Sequence, residues 1–312
     1  MSVTDELRRL KATRPSGRLT QVQKSEERAA YLFLLPWLAG LVAITAGPML
    51  VSLYLSFTDY NLLQAPKWIG VENFTRMVGD ERLHNSLRVT FEYVLVSVPV
   101  QLAAALALAV ALNKGLKGLS FYRSVYYLPS LLGGSVAVAV LWRQIFGTDG
   151  LVNDALGLLR IHGEGWISKP STALGTLIIL NVWTFGAPMV IFLAGLRQIP
   201  AMYYEAAAVD GASKVDQFRR ITLPLLTPII FFNLVLQIIH AFQAFTQAFV
   251  VSGGSGGPSD STMFYTLYLY QLGFGNFQMG YASAMAWVLV LIVGAFTALN
   301  FLASRFWVFY DE

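Results

Sequence analysis

The chain contains no cysteine, an absence that excludes disulfides, thiolate metal sites and cysteine nucleophiles. Histidine is nearly missing as well. His84, His162 and His240 lie far apart, so no metal-ligand spacing runs through them. Charge is short too: only 13% of the 312 residues are Asp, Glu, Lys or Arg, against about 25% in a soluble domain. By contrast 55% are hydrophobic, and mean hydropathy is +0.56. No paired carboxylates and no nucleophile–base constellation stand out, which places enzyme chemistry last among the options. The phosphate-cradling pattern G-x-x-x-x-G-K-[S/T] is absent throughout. The Gly-rich run "GGSGGPSD" (Gly253–Asp260) lacks that lysine and reads as a flexible loop before it reads as a nucleotide site.

What the chain has instead is long apolar runs. A hydrocarbon core about 30 Å thick takes roughly 20 mainly apolar residues per helix. Six segments meet this: Ala30–Phe57, Phe91–Leu112, Tyr126–Phe146, Thr172–Leu196, Leu225–Val251 and Tyr281–Trp307. Pro36, Pro48, Pro99, Gly133, Gly134 and Pro188 fall inside them, as bundled membrane helices tolerate. Residues 1–29 are a long basic stretch, and the apolar run after them is of full spanning length. That pattern predicts an uncleaved first helix rather than a signal peptide. The expected fold is therefore an all-α integral membrane bundle of about six helices over residues 30–312, behind a basic N-terminal segment over residues 1–29.

Lys and Arg set the expected orientation. The N-terminal segment holds Arg8, Arg9, Lys11, Arg14, Arg18, Lys24 and Arg28. The second loop holds Lys114, Lys117 and Arg123, and the fourth holds Arg197, Lys214, Arg219 and Arg220, with Arg305 in the tail. Fifteen of the 22 basic residues thus fall on alternate segments, while Ser252–Gly280 has none. Both termini and the fourth loop are expected in the cytoplasm. No internal repeat is visible, which weighs against transporters made of two homologous halves in one chain and leaves open a path formed between two chains.

The fourth loop, residues 199–224, is too polar to cross a bilayer yet patterned like structure. Pro200 suits a first helical turn, and Ala201–Asp210 is rich in helix formers. Gly211 suits a left-handed stop, and Ser213 with Asp216 resembles a capping box. A second short helix would run to about Ile221 and close at Pro224. Ala206, Val209, Phe218 and Ile221 are apolar within it. A hairpin packed beneath the chain's own spans and a docking surface for another protein both fit that pattern.

The string Glu205-Ala206-Ala207, three residues, Gly211, nine residues, Ile221, one residue, Leu223-Pro224 resembles the EAA motif of binding-protein-dependent ABC importer permeases. "WIGVENFTRM" (Trp68–Met77), Gly118–Leu156 and Gly253–Trp287 resemble the carbohydrate branch of that family, closest to its MalF/UgpA-like member. The resemblance implies a MetI/MalF-like bundle in a bacterial or archaeal plasma (inner) membrane, with a cytoplasmic coupling helix. It implies that Glu205, Ala206, Ala207, Asp210, Gly211, Ile221, Leu223 and Pro224 couple the chain to a separate ATPase. No cofactor is then expected in this chain, since ATP and Mg belong to that partner. The implied partners are a second permease (a heterodimer), two ATP-binding subunits, an extracytoplasmic solute-binding protein, membrane lipid and a di- or oligosaccharide or related polyol or glycerol phosphate, with no nucleic acid. A contact of the solute-binding protein with Gly253–Asp260 would be one use of that loop.

Within the fifth span Asn233, Gln237, His240, Gln243 and Gln247 advance by three or four residues. They fall on one helical face of about 120°. Polar groups at this depth face protein or a water-filled cavity. Amides and a neutral imidazole can bond sugar hydroxyls without trapping charge, or they can bond across helices. Both uses stay open, as does an aromatic contribution from Trp183 or Trp287. A channel or ion-coupled transporter is the competing class, but the spans hold almost no carboxylate for an ion site: Asp59 and Glu92 lie at edges.

Overall fold

The computed structural model describes residues 21–115, 118–161 and 163–309, with side chains from residue 29 onward. Arg8, Arg9, Lys11, Arg14, Arg18, Lys117 and His162 lie outside the described residues. Two compact units are present, one ending at Tyr54 and one beginning at Leu55.

The first unit holds one long helix, α1 (Gln21–Gly40), continuing through a π turn (Leu41–Ala46) into α2 (Gly47–Leu55), whose last residue opens the second unit. Its apolar stretch, Ala29–Leu55, is 27 residues long. The wide turn precedes Pro48, which has no N–H and whose ring crowds the carbonyl four residues earlier. An i→i+5 turn relieves both. The Gly47 N–H reaches Val42 O, and an added Cβ at Gly47 would lie 2.8 Å from that oxygen.

In the second unit every regular element among the described residues is helical, apart from one bridge between Thr58 and Trp68. The spine is α4 (Glu81–Leu112), 32 residues long. It begins ten residues before the expected Phe91, because Glu81, Arg82, Arg88 and Glu92 charge its first turns and hydropathy marks only the apolar remainder. Its stretch after Glu92 carries no charged residue. Leu83, Ser86, Val89, Thr90, Tyr93, Val94, Ser97, Gln101 and Ala105 are buried along it at three- and four-residue steps. Around it pack α8 (Pro170–Trp183), α9 (Gly186–Leu196), α12 (Leu223–Phe242) and α14 (Tyr265–Tyr270). The short α3 (Glu72–Val78) and the last span, α15 (Met279–Ser304), pack on each other.

Two expected spans are broken. The third is α5 (Leu119–Leu132) and α6 (Val136–Ile145), bent by 95°; the fourth, α8 and α9, is bent by 41°. At the first bend Ser135 leaves helical geometry (φ −82°, ψ 148°) and its side chain caps the Val138 N–H. Counting each bent pair as one span gives six spans. After the third span α7 (Leu151–Leu158) follows outside the bilayer-length helices. The fifth span also steps out of helix at residues 243–245 before α13 (Thr246–Val251).

Each break frees backbone groups that lipid cannot satisfy, and buried polar side chains meet them. Gln247 Nε2 donates to the Gly133 carbonyl at 3.1 Å. Gln101 Nε2 donates to the Asn181 carbonyl at 2.9 Å, and the Ser130 hydroxyl to the Thr184 carbonyl at 2.9 Å. Ser130 Oγ in turn accepts from the Ala187 N–H. At the third break the Thr266 hydroxyl donates to the Ala244 carbonyl. The close approach of α5 to α9 depends on Gly186, where a Cβ would stand 2.3 Å from the Tyr126 carbonyl oxygen.

Candidate functional site

Residues 199–224 fold as a compact hairpin. Its first helix, α10 (Ala201–Val209), follows Pro200 and stops where Gly211 takes φ +79°. The second, α11 (Lys214–Gln217), starts on a capping box: Ser213 Oγ accepts from the Asp216 N–H at 3.2 Å. The Ser213 hydroxyl also donates to the Asp216 carboxylate, and this bond chiefly holds that carboxyl below its usual range.

The hairpin departs from expectation at its end. Pro224 does not close the second helix. A π turn (Phe218–Thr222) leads straight into α12, with the Leu223 N–H bonded to Phe218 O. The turn makes room for Pro224 as the turn at residues 41–46 does for Pro48, so the hairpin is mechanically continuous with the fifth span.

The apolar residues divide between two faces. Phe218 and Ile221 are half-buried, whereas Met202, Val209 and Val215 are 67%, 89% and 65% exposed. Glu205, Ala206, Asp210 and Gly211 are exposed, and Ala207, Leu223 and Pro224 are half-buried. The Glu205 carboxylate forms no ion pair among the described residues. From beneath, Tyr204 Oη and Thr222 Oγ1 are 2.9 Å apart, and the buried Gln217 reaches the Tyr204 carbonyl at 3.5 Å. These bonds close the hairpin on itself beneath, while Met202, Val209, Val215 and Glu205 stand exposed.

The amide stripe of the fifth span is not one helical face. Asn233, Gln237 and His240 share α12, Gln243 caps its end, and Gln247 stands on α13 beyond the break. Asn233 is fully buried, with Nδ2 bonded to Ile229 O at 3.1 Å and Oδ1 buried without a partner. Gln247 bonds across helices, Gln237 is half-buried, and His240 and Gln243 are exposed. Trp183 packs against Trp142, ring centroids 6.0 Å apart. Trp287 is half-buried. Among the described residues no group of three His, Cys, Asp or Glu side chains could hold a metal ion.

Sequence reasoning missed a polar knot on the opposite side of the bundle. Asp80 caps α4 through the Leu83 N–H (3.0 Å) and accepts from the Tyr281 and Tyr268 hydroxyls at 2.8 and 3.0 Å. The Arg76 guanidinium lies 4.2 Å from the Tyr281 ring centre. Burial pushes the Asp80 carboxyl up, but the Leu83 N–H, the two hydroxyls and Arg76 together take it below the ordinary value. Nearby, Arg82 grips Asp260 with two nitrogens, at 2.8 and 2.9 Å. The Gly-rich run is therefore a tied turn rather than an open loop. Asp260 takes φ +55°, and Ser252 Oγ accepts from the Gly256 N–H at 3.2 Å. An Asp ahead of a helix of polar start was the one available signal for this knot.

Known proteins place these features in a family. The chain is 54% identical over 291 residues to the probable ABC transporter permease protein YesP of Bacillus subtilis, covering 93% of this chain and 94% of that one. It is 33% identical to the lactose transport system permease protein LacF of Rhizobium radiobacter, covering 88% and 93%. A solved bacterial alginate ABC transporter, in complex with an alginate pentasaccharide-bound periplasmic protein, shares the fold. Its TM-score is 0.77 at 21% identity, with 90% of this chain and 95% of that one covered. Residues 93–308 match the family described as binding-protein-dependent transport system inner membrane component, and the chain belongs to that family as a permease subunit.

Proposed function

We propose that this permease carries a neutral carbohydrate inward, in a path shared with a second permease, and is driven by separate ATP-binding subunits docked on residues 199–224. The observation that carries the proposal is the two-faced hairpin. Met202, Val209 and Val215 are apolar and exposed beside an unpaired Glu205, while the other face continues into the fifth span. Burying one such valine contributes about 1.5–3 kcal/mol, so the exposed apolar set suits a protein cleft. A partner that closes on this face would push on α12 through the continuous turn. ATP and Mg would be held by that partner.

The termini and the hairpin lie in the cytoplasm in this scheme, as the Lys and Arg placement favours. A solute-loaded binding protein would meet the opposite side, where Asp80, Arg82 and Asp260 knot the loops. Sugar fits the lactose permease relative and the scarcity of charge along the fifth span. His240 and Gln243, exposed near the break in that span, are the residues of the stripe free to meet a solute. The test is Glu205→Gln in the assembled transporter, with uptake competed by a panel of labelled neutral and anionic sugars. Loss of ATP-driven uptake with normal membrane insertion is expected. Intact uptake together with intact ATPase association would remove the coupling role.

A further inference from the structure

On the bundle side of the hairpin lies a pocket of about 490 Å³ that the docking face does not use. Its lining is divided by chemistry. Val110, Leu196 and Phe218 supply apolar wall, Lys114 and Lys214 supply charge, and no carboxylate lines it. Both lysines are exposed at the rim. Lys214 Nζ donates to Gln217 Oε1 at 3.1 Å, and Gln217, only 4% exposed, is fixed from below. One ammonium is thereby aimed, while the other follows the C-cap of the spine helix, Asn113.

The depth of the pocket follows from α4. After Glu92 the helix carries only uncharged residues, from Tyr93 to Leu112. Twenty residues at 1.5 Å each span about 30 Å, one hydrocarbon thickness. Val110 therefore sits in the last turn within the hydrocarbon, and Lys114 sits just beyond it, at headgroup level. Leu196 marks the same boundary on α9, whose next residue is the exposed Arg197. A cavity lined by apolar side chains and two lysines at this level suits a lipid better than a solute.

We propose that this pocket binds the phosphate of an anionic phospholipid between Lys114 and Lys214, with the acyl end against Val110, Leu196 and Phe218. A free phosphate shares the recognising chemistry but has no use for the apolar wall. Juxtamembrane basic residues attract anionic lipid, and here two of them share a shaped cavity. Tyr204, Gln217 and Thr222 also line it, so a bound headgroup braces the hairpin from behind.

The test uses the detergent-purified full chain and native mass spectrometry, which counts retained lipid without requiring transport. Its failure is thus separable from failure of the coupling proposal. Phosphatidylglycerol, phosphatidylcholine and inorganic phosphate are the probes. Each lysine is worth about fivefold in retention, so Lys114→Gln with Lys214→Gln should cut phosphatidylglycerol retention about 25-fold. The control pair Lys67→Gln with Lys169→Gln removes equal charge on the other side and should leave it unchanged. Hydrogen exchange across residues 201–217 should slow on adding phosphatidylglycerol to the wild type and not to the Lys114/Lys214 variant. Equal retention by both double variants, equal retention of phosphatidylcholine by the wild type, or displacement of the lipid by millimolar phosphate would each overturn the proposal.

Discussion

Replacing Asp80 by alanine removes three interactions with one substitution, and their sizes can be worked separately. Loss of the cap on the Leu83 N–H costs about 1 kcal/mol. The Tyr281 and Tyr268 hydroxyls, at 2.8 and 3.0 Å, each lose a charged acceptor. Such bonds contribute about 1.5–3 kcal/mol when buried. Asp80 is only half-buried, so roughly 1 kcal/mol each is the fitting figure, and the total is about 3 kcal/mol. Asp80→Asn keeps the cap and one hydroxyl partner and should lose about half as much. The assay is the thermal unfolding midpoint of the purified protein in detergent. At roughly 2 °C per kcal/mol for a chain of this size, alanine should lower the midpoint by about 6 °C and asparagine by about 3 °C. The charge sets a pH signature. The folded carboxyl titrates below its unfolded value of about 3.9, so its contribution is full above about pH 5 and is lost as pH falls through the folded value. The gap between wild type and Asp80→Asn should therefore close in acid. An unchanged midpoint for the alanine variant, or a gap that widens below pH 4, would refute the reasoning.

Two further outcomes follow from the backbone. Gly211→Ala places a Cβ at φ +79° with open space around it, so only conformational strain is added, about 1–2 kcal/mol. Hydrogen exchange should quicken across residues 201–217 while the midpoint of the whole protein barely moves. Gln247→Leu strips the Gly133 carbonyl of its donor inside the membrane, which costs about 1–3 kcal/mol. Its midpoint should fall by several degrees, whereas Gln243→Leu, at an exposed position, should leave it in place.

The membrane spans were legible because twenty apolar residues in a row admit few other uses. Their interruptions were legible only in part. Gly133-Gly134-Ser135 announces a bend by composition, but no Gly or Pro marks the step at residues 243–245. It depends on Thr266 and on a carbonyl more than a hundred residues away in α5–α6, contacts that no local pattern carries. For that reason the amide stripe looked like one face and is two. Pro224 misled in the other direction: its usual effect is to end a helix, and a π turn absorbed it. The capping box at Ser213 and the stop at Gly211 were readable because both are local chemistry. The knot at Asp80 was not, since its tyrosines come from elements nearly two hundred residues downstream.

The central claim is that this chain moves solute only when a separate ATPase works on residues 199–224. Proteoliposomes holding the permease, its partner permease, the ATP-binding subunits and the loaded binding protein test it by uptake of labelled sugar. The account predicts uptake that requires ATP on the side of the hairpin and disappears when the ATP-binding subunits are omitted. Sustained uptake by the permeases alone, driven by an ion gradient without any ATPase, would contradict it.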